Sequence, residues 1–179
     1  MNLSQKGGDF LNKSELLSAA IKGDKQAFCS LYSLYKDKLY KYAFYRLKSK
    51  EEAEDAVQDC VLCAYRQISS LKSVKAFDSW LFKILSACCN EKLRHIINAK
   101  NRVDFEQTEL FLKSDNSAVE KTELVEALET LSEEEREIVL LSCVAGFKSR
   151  EIASFMDMTS GSVRSKLSRS LKKMRTFLE

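Results

Sequence analysis

The chain of 179 residues contains no proline and only five glycines. With so few breakers, little interrupts helix formation along its length. Histidine occurs once, at His95, and no second correctly spaced cysteine pair accompanies Cys60 and Cys63, which leaves zinc without a donor set. The longest apolar run, around Ile138 to Phe147, is broken by Ser142 and Gly146 and is too short to span a bilayer. Met1 to Phe10 has no apolar signal-peptide core. A cytoplasmic location without membrane insertion is expected. The six cysteines (Cys29, Cys60, Cys63, Cys88, Cys89, Cys143) are then expected to be reduced and mostly buried, as small hydrophobes.

Charge is plentiful but unevenly placed. The net value is only +3, yet acidic residues crowd the stretch from Asp104 to Glu137, and Arg164, Lys166, Arg169, Lys172, Lys173 and Arg175 crowd the end. An acidic middle before a basic end points to a polyanion partner for the end alone.

Helical periodicity recurs almost everywhere and no convincing alternating strand is present, so the fold class is all-α. Ser14 is expected to cap a short helix stopped by Gly23, and Asp24 the next. Ser49 with Glu52 reads as a capping box, opening a helix with Ala53, Ala56, Val57, Cys60, Val61, Ala64 and Ile68 on one face. Ser69 to Phe77 reads as a loop, followed by a helix bearing Phe77, Trp80, Leu81, Ile84, Leu85 and Cys88 that runs to about Ile97. From Asn98 to Lys121 periodicity fades among acidic and polar residues, which predicts a mobile linker. A second helical block starts near Thr122, and Ser132 with Glu135 forms a further capping box ahead of a helix ended by Gly146.

The last segment pairs a short amphipathic helix (Ile152, Ala153, Met156) with a turn at Asp157-Met158-Thr159 and a basic helix capped by Thr159 or Ser160. That is the pattern of a helix-turn-helix, whose second helix enters the DNA major groove. On it Val163, Leu167, Leu171, Met174 and Leu178 form the expected packing stripe. Arg164, Ser165, Ser168, Arg169 and Lys172 form a second face suited to guanine edges and phosphates. Thr159, Ser160, Ser162, Lys166 and Lys173 complete the candidate DNA-contacting set.

"AEDAVQDCVLCAYRQI" (53–68), "FDSWLFKIL" (77–85) and "EKLR" (91–94), in this order before the helix-turn-helix, resemble bacterial RNA polymerase sigma factors of the extracytoplasmic-function type. The resemblance covers the chain from about Asp24 to its end. It implies two helical domains, a region-two domain over 1–97 and a region-four domain over 122–179, joined by the flexible linker over 98–121. By the same resemblance Asp55, Gln58 and Asp59 dock on the beta-prime clamp helices of the polymerase core. The loop after Ser69 and the next helix read and melt the minus-10 element, with Lys72, Lys75, Phe77, Lys83, Lys92 and Arg94 as contacts. Unstacked strands need cations and holding pockets, which suits these lysines and arginine. The terminal helix reads the minus-35 element. Further implied partners are the beta flap, promoter DNA and an anti-sigma factor. The chain departs from the family pattern at Ala87, where asparagine is frequent, at Asp157 in place of a turn glycine, and at Ser132 in place of a domain-opening proline.

Two other classes compete. A redox or metal enzyme would rest on the C-x-x-C of Cys60 and Cys63, but that pair lies inside a helical stretch rather than at a strand-to-helix junction. No catalytic group, cofactor or metal is therefore expected. A conventional operator-binding regulator would share the helix-turn-helix but not the docking helix.

Overall fold

The computed structural model describes residues 12–103 and 123–179. All regular elements there are helical. In the first half they are α1 (Lys13–Ile21), α2 (Lys25–Leu47), α3 (Lys50–Gln67) and α4 (Phe77–Val103), with 3-10 turns at Ile68–Ser70 and Val74–Ala76 between α3 and α4. The second half holds α5 (Glu123–Glu129), α6 (Glu133–Leu140), α7 (Ser149–Met156) and α8 (Ser160–Leu178).

Local sequence explains most boundaries. The Asp24 carboxylate accepts from the Ala27 N–H at 3.0 Å to open α2. Ser132 and Glu135 form the reciprocal box that opens α6, and Thr159 accepts from the Ser162 N–H at 3.2 Å to open α8. The cap of α1 lies two positions before the expected one. Asn12, not Ser14, accepts from the first-turn N–H groups, and Glu15 returns the bond at 2.8 Å. At α3 the Ser49 hydroxyl accepts from the Glu52 N–H, but Glu52 turns toward Lys92 instead of closing the box. α4 continues past Ile97 to Val103, because nothing in the sequence there breaks a helix. Most of the expected linker, and the acidic run within it, lies outside the described residues.

In the first half α2, α3 and α4 pack on one another, with α1 laid against α2 and the two 3-10 turns. Leu31, Leu39, Tyr42, Ala53, Ala56, Cys60, Phe82 and Leu85 form the centre of this core. In the second half α5, α6 and α7 all pack on α8 around Ile138, Leu141, Ile152 and Val163. A π-helical turn, Leu141–Ala145, follows α6 and ends at Gly146, whose φ of 84° only glycine adopts without penalty. The turn between α7 and α8 is held by Asp157 at φ 55°, the left-handed conformation that aspartate tolerates.

The two halves also meet each other through a buried interface that the sequence reading did not foresee. Tyr42, Phe82, Phe147 and Phe155 form an aromatic row crossing it, with successive ring centroids 5.6, 5.4 and 6.2 Å apart. Beside the row, the buried Glu137 of α6 pairs with Arg46 of α2 and accepts from the Tyr42 hydroxyl. It also accepts from the Ser86 hydroxyl at 3.2 Å. Lys48 and Glu129 close the rim at 2.7 Å.

Candidate functional site

Three surfaces carry the chemistry expected from the sequence. The first is the outer face of α3. Its apolar residues Ala53, Ala56, Val57, Cys60 and Ala64 are buried, and 3.6-residue periodicity turns Asp55, Gln58 and Asp59 outward. Leu62 extends the same face one turn further and is 54% exposed, a large apolar side chain that the sequence reading left out. Its signal was its spacing: it sits three and four residues beyond Asp59 and Gln58.

Lys92 belongs to this acidic face. Its Nζ lies 3.4 Å from Asp55, 3.7 Å from Asp59 and 3.9 Å from Glu52. Burial alone would lower its ammonium pKa, but Asp55, Asp59 and Glu52 more than offset this and hold it above the ordinary lysine value. In the structure this cation is met by carboxylates instead of lying free for a phosphate, at odds with its expected minus-10 role.

The second surface is the loop over residues 69–76 with the outer side of α4. Lys72 and Lys75 project from the loop and Arg94 from α4, all exposed. Lys83 is exposed too, but its Nζ sits 5.8 Å from the Phe155 ring centroid of α7, across the interface between halves. Phe77 is only 2% exposed. It packs edge-on against Tyr35 at 5.4 Å and beside Trp80 at 5.8 Å, so its ring is core and offers no face to a base. Its position at the first residue of α4, beneath the loop, turns it inward.

The third surface is α8. Arg164, Ser165, Ser168, Arg169 and Lys172 are exposed along one side, and Thr159, Ser160 and Ser162 surround its N-terminus. Two expected DNA contacts fold back instead. Lys166 pairs with Glu134 at 2.7 Å and Lys173 with Glu135 at 3.0 Å, both in the first turn of α6. The bond from Lys173, then that from Ser132, keeps the Glu135 carboxyl below the usual glutamate range. The packing stripe also differs from the expected one. Val163, Ser170 and Met174 are buried with Leu167 beside them, whereas Leu171 and Leu178 are exposed. α5, α6 and α7 approach α8 from the side of position 170, and Ser170 fits there because its hydroxyl donates to the Lys166 carbonyl at 2.8 Å.

The cysteines are less uniformly buried than expected. Cys60 and Cys89 are buried, Cys63 and Cys88 half-buried, and Cys29 and Cys143 exposed. Burial and then neighbouring thiols push the Cys60 thiol up strongly, and burial followed by Asp59 and Cys63 pushes the Cys88 thiol up to about 11. Among the described residues no group of His, Cys, Asp or Glu is arranged to hold a metal ion, and no helix is long and apolar enough to cross a membrane.

An acidic helical face lies in one half and a basic helix-turn-helix in the other, the layout of a helical DNA-binding protein with a second surface of opposite charge. Comparison with known proteins gives the same division: residues 31–96 match Sigma-70 region 2 and residues 121–174 match Sigma-70, region 4. The chain is 30% identical over 145 residues to RNA polymerase sigma factor SigV of Bacillus subtilis, covering 80% of this chain and 86% of SigV. It is 28% identical over 167 residues to the ECF RNA polymerase sigma factor SigM of Mycobacterium tuberculosis, covering 92% of this chain and 84% of SigM. The fold is shared with CnrH in complex with the cytosolic domain of CnrY, at a TM-score of 0.69 and 20% identity over 93% of this chain and 96% of that one. The chain belongs to the RNA polymerase sigma factors of the extracytoplasmic-function (ECF) type, and it directs promoter-specific transcription with RNA polymerase.

Proposed function

We propose that the three surfaces divide the work of initiation. Asp55, Gln58 and Asp59, with Leu62, dock on the beta-prime clamp helices of the core enzyme. Lys72, Lys75 and Arg94 engage the minus-10 element as it opens, and Lys83 joins them once the halves separate. Arg164, Ser165, Ser168, Arg169 and Lys172 read the minus-35 element from the major groove, with Thr159, Ser160 and Ser162 at the adjoining phosphates. The observation that carries this reading is the separation of exposed charge: carboxylates line α3 and cations line α8. Lys92, Lys166 and Lys173 hold those surfaces in shape through their carboxylate partners.

The protein acts in the cytoplasm as an initiation factor rather than as an enzyme. An anti-sigma factor restrains it, a reading supported by solved relatives in complex with such partners, among them RpoE with the anti-sigma factor NepR from Bartonella quintana. Run-off transcription with purified core polymerase tests the proposal. Added protein should produce promoter-specific transcripts. If it binds promoter DNA yet leaves core enzyme inert, it acts as an operator-binding regulator.

A further inference from the structure

The loop over residues 69–76 is tied to the core at few points: Leu71 packs against it partly buried, and the 3-10 turns Ile68–Ser70 and Val74–Ala76 make up its ends. Backbone bonds from the Leu71 N–H to the Ile68 carbonyl at 3.1 Å, from the Ala76 N–H to the Ser73 carbonyl at 3.0 Å and from the Phe77 N–H to the Val74 carbonyl belong to these turns. Among the described residues, the side chains of Lys72, Ser73 and Lys75 make no hydrogen bond or ion pair, and Val74 is exposed. The direction in which Lys72 and Lys75 point is therefore set by Leu71 and by what fixes the flanks. At one flank Ile68 is buried in the core. At the other, α4 starts with the buried Phe77 and then Asp78.

Asp78 is tied from two other elements at once. The Tyr35 hydroxyl of α2 donates to its Oδ1. The Lys13 ammonium of α1 reaches both of its oxygens at 2.8 Å and lies 5.3 Å from the Tyr35 ring centroid. Tyr35 is itself buried, with its ring edge against Phe77. α1 packs against both 3-10 turns, which make up the two ends of the loop, so the same lysine that grips Asp78 belongs to the helix backing the loop. An acid in the first turn of a helix needs no special reason, since the helix dipole favours it there. Two partners brought from 43 and 65 residues away do need one.

We propose that Lys13, Asp78 and Tyr35 form a staple that positions the 69–76 loop for strand opening. It joins α1, α2 and the start of α4 at one carboxylate, and it fixes the angle at which α4 leaves the loop. None of the three contacts DNA; they act through the orientation of Lys72 and Lys75. The inference rests on the reading of this loop as the minus-10 element. It adds a function for α1, which lies before the part of the chain that matches Sigma-70 region 2.

The test uses full-length protein loaded on core polymerase, with a promoter first selected from a random DNA library by run-off transcription. Opening is followed by fluorescence of 2-aminopurine placed in the minus-10 element, and core affinity is measured in parallel. Asp78→Ala should slow opening of duplex promoter by about tenfold or more, the size expected when a reacting group is held loosely, with core affinity within about twofold of wild type. Tyr35→Phe and Lys13→Ala should each give part of that defect. The charge exchange Lys13→Asp with Asp78→Lys should recover part of the rate. A promoter mismatched over the minus-10 element, already open, should be engaged at the wild-type rate by every variant.

Opening at the wild-type rate by Asp78→Ala overturns the staple. So does a defect that persists on the mismatched promoter while core affinity falls in step, which would be loss of fold. Lys72→Ala with Lys75→Ala separates the two ideas. If that pair is defective and Asp78→Ala is not, the staple alone falls. If the lysine pair opens promoters normally, the reading of the loop falls.

Discussion

Replacing Glu137 by alanine removes the buried carboxylate at the interface between halves. Its three partners are left in place: Arg46 at 9% exposure, Ser86, and Tyr42 with none. Burial pushes the Tyr42 phenol up to about 12, so it stays protonated and its donor is left with only the neighbouring Ser86 hydroxyl in place of a carboxylate. Removing one member of a buried ion pair costs about 3–5 kcal/mol. An unsatisfied buried donor alone costs about 1–3 kcal/mol, a penalty that overlaps the first rather than adding to it. Arg46 retains Asn90, which places the expected loss near the lower end, at about 3 kcal/mol. The sole tryptophan, Trp80, lies on α4 and reports the first half only, while circular dichroism reports helices of both halves. In urea the wild-type signals should coincide. In Glu137→Ala the dichroism should fall in two steps, with the Trp80 transition moved less than the step of the second half. The double variant Arg46→Ala with Glu137→Ala should lose less than the sum of the singles, because it leaves no unpaired charge. Coincident transitions within about 0.5 kcal/mol of wild type in Glu137→Ala would refute the reasoning, since a change that small is typical of a surface site.

Arg164→Ala with Arg169→Ala should weaken binding to the minus-35 element by about 1–3 kcal/mol for each lost bidentate base contact, read by fluorescence anisotropy across a salt series, with core affinity unchanged. Asp55→Lys with Asp59→Lys should abolish capture by immobilised core polymerase, while the melting temperature falls only modestly, since both side chains are exposed although Lys92 loses two carboxylate partners. Asp157→Val should lower stability by about 1–2 kcal/mol, the cost of the left-handed conformation for a residue other than glycine, asparagine or aspartate. Mass spectrometry after timed alkylation of the native protein should find Cys29 and Cys143 modified first and Cys60 and Cys89 last, following exposure.

Features decided within a few residues were legible in the sequence: the caps at Asp24, Ser132 and Thr159, the stops at Gly23 and Gly146, and the turn at Asp157. Each rests on local bonding that the residue type announces. Side chains whose role depends on a distant element were not legible. Phe77 has the composition of a base-stacking residue and of a core residue alike, and only Tyr35 above it decides. Lys92, Lys166 and Lys173 announce positive charge, but the carboxylates that occupy them come from other helices. Glu137 was hidden at the end of the acidic stretch; of the glutamates in α6, it alone turns inward toward Arg46. The stripe on α8 shifted from Leu171 to Ser170 because three helices, not one, decide which side is covered.

The buried contact between the halves also bears on reach along DNA. Elements named for positions 35 and 10 base pairs upstream lie about 25 pairs apart, which is about 85 Å of duplex at about 3.4 Å per pair. A chain of this length folded as one body has a radius of gyration of about 16 Å, so it measures about half that distance across. With α8 and the 69–76 loop reading the two elements as proposed, they cannot reach both together while Glu137 stays on Arg46 and Phe147 on Phe82. Loading onto polymerase must therefore exchange this interface for contacts on the enzyme, and it must uncover Lys83 as it does so. An agent that merely tightened the join would silence initiation from a distance, leaving every DNA-reading side chain of α8 free.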